Sequence, residues 1–165
     1  MRSESADHPA VKRVKDFLAS HEVDVEIRHL SETARSAADA ANALGVQVGQ
    51  IASSIVFSIP APLLVITSGR HKVDTELVAK TTNLPKLGRA DADFVKNWSG
   101  FVIGGVSPVA WLHNGAQYQP QTFIDLALDE HEEIWAAAGH THVVFKTNFK
   151  DLTRISQATP IFVGD

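Results

Sequence analysis

The stretch from Ile51 to Thr67 constrains the fold more than any other part of the chain. Two apolar runs, Ile51 to Ile59 and Leu63 to Thr67, meet around Pro60-Ala61-Pro62. Runs rich in β-branched and aromatic residues, bounded by proline, read as strands, and two joined so closely read as a hairpin. Extended, the first run places Ile51, Ser53, Ile55, Phe57 and Ile59 on one face. Ser53 is the only polar member of that row. Its hydroxyl either bonds to nearby backbone or forms the floor of a pocket.

Around the hairpin, helices and strands are interspersed. Asp7 is placed to cap a first helix with Pro9 in its opening turn, and Val11, Val14, Phe17 and Leu18 form its apolar stripe. Lys12, Arg13 and Lys15 lie off that stripe and read as a solvated face. Ser36 to Leu44 is an alanine-rich helix closed by Gly45, while Asp74, Asp91 and Asn148 each stand where a further helix opens. Val23, Val25 and Ile27 alternate with polar residues as in a half-buried strand. Short strands are expected at Phe101–Ile103, Thr122–Ile124, Ile134–Ala138, Val143–Phe145 and Ile161–Val163. This pattern predicts an α+β fold, one domain over residues 1–165, with helices packed on a mixed sheet.

Composition narrows the function. With 165 residues, 44% of them hydrophobic and 21% charged, the chain is long enough for a sizeable core. It contains no cysteine, so a disulfide framework, a thiolate nucleophile and a cysteine-based zinc site are excluded. A formal charge of −4 argues against wrapping nucleic acid, though it leaves room for local contact with one end of an RNA. No apolar run approaches the ~20 residues that span a bilayer. Met1 to His8 lack the apolar core of a secretory signal, so no membrane association and a cytoplasmic location are expected.

The chemistry centres on Gly100-Phe-Val-Ile-Gly-Gly-Val-Ser-Pro108. Gly104 and Gly105 permit unusual backbone angles and close approach of a ligand to the main chain. Val106 and Ser107 offer N–H groups, and Pro108 fixes the exit. Such a turn either holds a carbonyl oxygen against backbone amides or simply ends a strand. Other motifs fail. Val109 stands where a nucleophile elbow needs glycine, so Ser107 does not read as a serine-hydrolase nucleophile. Trp135 replaces the second histidine of a zincin motif, and His140 with His142 lack a third metal ligand at recognisable spacing. No metal or cofactor is expected. Asp125, directly after an apolar strand, orients a substrate group or caps a helix. The turn from Ser68 to Asp74 sets Arg70, His71 and Lys72 either against a phosphate or in solvent.

Taken in order, the segments 51–57, 64–69, 72–74, 100–108, 123–125 and 134–139 resemble the YbaK and prolyl-tRNA synthetase-associated domain family over nearly the whole chain. The resemblance implies a curved mixed sheet and a trans-acting aminoacyl-tRNA deacylase. Its substrate would be an aminoacyl ester on the terminal adenosine of a transfer RNA. It also implies that Gly104, Gly105, Val106, Ser107 and Pro108 form the carbonyl-binding loop. Thr67, Ser68, His71, Lys72, Asp125 and Gly139 would be secondary pocket residues. Catalysis in this family relies on a positioned water and a ribose hydroxyl. The implied partners are the acceptor end of aminoacyl-tRNA and, beyond it, a synthetase or an elongation factor.

One residue departs from the family pattern. Ser53 stands where well-studied members carry a functional lysine. Three readings stay open: altered amino-acid specificity, charge supplied by His71 or Lys72, or a non-catalytic module that binds an aminoacyl or nucleotide ligand.

Overall fold

The computed structural model describes residues 8–23, 26–31 and 36–165. Helix α1 (Pro9–Ser20) leads to β1 (Ile27–His29), α2 (Ala37–Leu44), and the hairpin of β2 (Ile51–Ser58) and β3 (Pro62–Ser68). There follow α3 (Thr75–Thr82), β4 (Gly88–Arg89), α4 (Ala92–Ser99), a small hairpin β5 (Leu112–His113) with β6 (Ala116–Gln117), and β7 (Gln121–Asp125). Strands β8 (Ile134–Ala137) and β9 (Val143–Thr147), helix α5 (Phe149–Ser156) and β10 (Thr159–Ile161) complete the chain. The main sheet runs β1-β9-β8-β2-β3-β7-β10, with β4 joined to β2. It is mixed, because β2 is antiparallel to β3 but parallel to β8, and β3 and β10 are parallel to β7. The fold is α+β.

The helices start and stop where local chemistry dictates. Ser36, Asp74, Asp91 and Asn148 each accept a hydrogen bond from a main-chain N–H in the first turn, satisfying a donor the helix leaves orphaned. Gly45 and Gly100 close α2 and α4 in the left-handed conformation. Asp7 lies outside the described residues, and the cap seen for α1 is His8, whose Nδ1 accepts from Ala10 N. Residues 24 and 25 also lie outside the described residues, and pairing begins at Ile27.

Strand β3 is buried along its whole length, sandwiched between two apolar layers. On one face Leu64 and Ile66 join Ile124, Ile134, Phe145 and the stripe of α1. On the other, Leu63 and Val65 pack with Phe123 and Val78 of α3. A third cluster covers the far end, where Ile51 and Trp135 meet Ala41 and Leu44 of α2. Truncating a side chain such as Leu64 to alanine would cost about 2–5 kcal/mol.

Three expectations need correction. The last strand is Thr159–Ile161 rather than Ile161–Val163. Phe101–Ile103 is not a strand. Only Phe101 is buried, while Val102 and Ile103 are 49% and 57% exposed, because the left-handed Gly100 turns the chain out of α4 before it reaches the sheet. Arg13 is not part of a solvated face. Its Nε donates to Ala110 O at 2.8 Å, and its guanidinium lies 4.6 Å from the Phe101 ring centroid. Periodicity put it off the apolar stripe, but a guanidinium has donors enough to be useful inside.

Candidate functional site

The site exists because β2 changes partners midway. Its inner edge pairs with β8 only at Ile51 and Ala52, then with β4 only at Phe57 and Ser58. Between them residues 53–56 have no strand partner on that edge, and the sheet forks. A cavity of about 390 Å³ fills the fork, walled by Ser53, Ser54 and Ile55 of β2 and by Ala136 and Ala137 of β8. Ala37 and Ala40 of α2 contribute a wall where larger side chains would close the space, and Gly104 and Val106 form another.

Ser53 sits between the α2 cluster containing Ile51 and the α3 cluster containing Phe57. It is only partly buried, and no described residue bonds its hydroxyl. The backbone-bonded alternative therefore does not hold.

The glycine turn meets it from above. Gly104 has φ +96°, and a side chain there would be strained. Gly105 is needed for another reason: a Cβ would lie 2.7 Å from the carbonyl carbon of His140 and 2.8 Å from its Cα. Gly105 N donates to Val102 O at 3.0 Å, which closes the turn. Among the described residues the amides of Gly104, Val106 and Ser107 have no protein acceptor. The carbonyls beyond them are occupied, Ser107 O by Trp111 Nε1 at 2.7 Å and Pro108 O by Gln119 Nε2 at 3.3 Å. The turn is thus fixed through its acceptors while three donors stay unused. Ser107 Oγ, fully buried, accepts from Val109 N at 3.2 Å.

Four of the remaining expected residues, Thr67, Ser68, His71 and Asp125, form a cluster beside the cavity, with Thr67 opposite Ser53 in the β2–β3 register. Asp125 is fully buried on the strand two places from β2. Its Oδ2 lies 2.9 Å from His71 Nδ1 and accepts from Ser68 N at 3.0 Å and Thr67 Oγ1 at 3.3 Å. Its Oδ1 accepts from Ala127 N at 2.9 Å. This network ties the turn after β3 to the end of β7, and none of the four residues lines the fork cavity. Lys72 is exposed, its N–H bonded to Asp165 O. Gly139, at φ +98°, lets α1 approach, since a Cβ there would lie 2.8 Å from Ala10 O.

Two imidazoles and an ammonium group lie beside the turn. The rings of His8 and His140 are 4.8 Å apart, and Lys96 Nζ reaches Gly100 O at 3.3 Å. Burial, then the neighbouring His140, Lys96 and Arg13, hold the His8 pKa below its ordinary value. Among the described residues no group of three or more His, Asp or Glu side chains could hold a metal ion. None of the described helices is long and apolar enough to cross a membrane.

Sequence reasoning missed Ser54, Ile55, Ala136 and the alanines of α2 as cavity walls. Ala37 and Ala40 recur at the helical spacing of one face, but no local pattern marks where a sheet divides.

A mixed sheet that forks at one strand, with a glycine turn beside the gap whose amides have no protein acceptor among the described residues, defines an α+β domain with a cavity at the fork. The family model of the aminoacyl-tRNA editing domain matches residues 31–155, and the chain belongs to that family. Among solved structures, one described as a proposed trans-editing enzyme for prolyl-tRNA synthetase has 29% identity and a TM-score of 0.84, over 95% of this chain and 98% of that one. A scaffold protein from computational epitope grafting has 28% identity and a TM-score of 0.86, over 96% and 99% of the two chains. A hypothetical protein at 19% identity, with a TM-score of 0.78 over 93% of this chain and 99% of that one, shares the fold. No curated protein matches the sequence.

Proposed function

We propose that the chain is a trans-acting aminoacyl-tRNA deacylase, which hydrolyses the ester joining a mismatched amino acid to the terminal adenosine of a transfer RNA. The observation that carries this reading is the set of unused amides at Gly104, Val106 and Ser107, on a turn that shares a cavity with the free hydroxyl of Ser53.

Ester hydrolysis needs donors where charge develops on the carbonyl oxygen. Preorganised main-chain N–H groups supply this without reorganising, and losing one such donor costs about 10²–10³ in rate in well-studied cases. In the proposed step the oxygen of a water adds to the carbonyl carbon, and the amides of the turn hold the resulting oxyanion. The carbon–oxygen bond to the ribose then breaks, the ribose oxygen takes one of the water's two protons, and the amino acid leaves as its carboxylate with the other proton released to solvent. The ribose hydroxyl beside the ester helps position the water, and Ser53 Oγ donates or accepts a hydrogen bond in place of the family lysine. Lys96 brings positive charge beside the turn, where phosphates of the acceptor end would pass. The Asp125 cluster supports the scaffold. A cytoplasmic role beside a synthetase or an elongation factor belongs to the same reading.

A second reading, a non-catalytic module for an aminoacyl or nucleotide ligand, is favoured by one observation, the serine at position 53. A panel of aminoacylated transfer RNAs, assayed with the wild type and Ser53→Lys, separates the two. Hydrolysis of at least one member by the wild type supports the deacylase. No hydrolysis above buffer by the wild type, with tight binding of an aminoacyl-adenosine analogue, supports the module.

A further inference from the structure

At the other end of β8 and β9 lies a cavity of about 340 Å³ that the deacylase reading does not use. Its walls come from Glu22 and Val23 beyond α1, Glu132 and Glu133 before β8, Thr147 at the end of β9 and Asp151 in α5. None of these residues lines the fork cavity. We propose that this cavity binds a linear aliphatic polyamine. The assignment stands independently of the function proposed above.

Thr147 gives the first reason. Val143, Phe145 and Thr147 alternate on the buried face of β9, and Val143 and Phe145 belong to the same core cluster as Val23. The Thr147 side chain therefore points into the layer that holds the cavity. The residue is 7% exposed, and its Oγ1 has no hydrogen-bond partner among the described residues. A buried oxygen left without a donor is costly, so one that borders a cavity marks where a donor from outside is accommodated.

Charge gives the second. Four carboxylates line the cavity against one ammonium, that of Lys146. Lys146 holds Glu133 at 3.1 Å, and Asp151 lies 3.5 Å from Arg154 while accepting from Asn148 Nδ2. Glu22 and Glu132 are exposed and form no ion pair among the described residues. The cavity thus keeps two uncompensated carboxylates and one acceptor hydroxyl.

Spacing decides what kind of cation fits. Among the described residues no three carboxylates or imidazoles are grouped so as to hold a metal ion. A compact ion reaches one such group at a time, whereas ammonium groups separated by methylenes reach several. Each ammonium brings three donors, enough for Thr147 Oγ1 and a carboxylate together. Val23 offers the intervening methylenes an apolar surface.

The test is calorimetry at constant ionic strength with spermidine, its triacetyl derivative, magnesium ion and a tetralysine peptide. Spermidine should bind at one site per chain, at least about tenfold more tightly than magnesium, which surrenders its water reluctantly. The triacetyl derivative should not bind. Thr147→Val keeps the shape and removes the acceptor. It should weaken spermidine about tenfold without lowering the melting temperature of the free protein, while Thr147→Ser should bind as the wild type does. Glu22→Gln and Glu132→Gln should each weaken binding about two- to fivefold, and Glu76→Gln, on the exposed side of α3, should not. No binding of spermidine, equal binding of magnesium, or equal losses in Glu76→Gln and Glu132→Gln would overturn the assignment. So would a lower melting temperature of free Thr147→Val, which would mean that the hydroxyl serves the fold. Tighter binding of tetralysine than of spermidine would make the occupant a protein segment and overturn it as well.

Discussion

Arg13 Nε donates to the carbonyl oxygen of Ala110 at 2.8 Å, so the first helix holds the far end of the segment that carries the glycine turn. The same guanidinium reaches Ser99 O at 3.5 Å and lies over Phe101, so one side chain grips both ends of the excursion from α4.

Arg13→Lys keeps the charge but loses the planar donor and the ring contact. It should cost about 1–2 kcal/mol, lowering the melting temperature by about 2–8 °C in a chain of this size. An unchanged melting curve would show that the contact is incidental.

Gly105→Ala forces a Cβ into the main chain of His140, which has no flexible end to move aside. We expect a loss of about 1–3 kcal/mol in stability and weaker binding of an aminoacyl-adenosine analogue, because relief of the clash displaces Gly104 and Val106. Gly104→Ala, whose Cβ would meet Thr141 Oγ1 only at an ordinary contact distance of 3.5 Å but at a positive φ, should lose less stability. Equal melting of Gly105→Ala and wild type would contradict the packing.

Asp125→Asn replaces an acceptor-only group with one that carries donors, inside a cluster of Ser68 N, Thr67 Oγ1, Ala127 N and His71. The mismatch should cost about 1–3 kcal/mol. His71→Ala, which removes a single partner near the surface, should cost less. Chemical denaturation of both variants orders them, and the reverse order would mean that His71 rather than Asp125 organises the cluster.

Acidification should weaken the N-terminal contact. Burial first, then His140, Lys96 and Arg13, keep His8 below its ordinary pKa of 6.5, so the unfolded chain binds that proton more readily. The His8 contribution is therefore unimpaired above about pH 6.5 and declines as pH falls through that value toward the lower folded pKa. Melting temperatures taken between about pH 8 and about pH 5 should fall less in His140→Gln than in wild type. Identical slopes would remove His140 from the account.

Much of the scaffold is written locally. The hairpin at Pro60–Pro62, the caps at Ser36, Asp74, Asp91 and Asn148, and the left-handed closure at Gly45 all follow from backbone chemistry within a few residues. The glycine turn and the oddity of Ser53 were equally visible, since each breaks an otherwise apolar pattern. What the chain alone left undecided is which side chains share a space. Thr67, Ser68, His71 and Asp125 came together because parallel pairing of β3 with β7 joins strands far apart in sequence, and the β2–β3 register sets Thr67 opposite Ser53 although none of the four lines the fork cavity. The fork cavity, likewise, arises where β2 exchanges β8 for β4. That exchange depends on register between distant strands. Short-range periodicity records which face a residue takes, and it carries no information on where two neighbouring strands part.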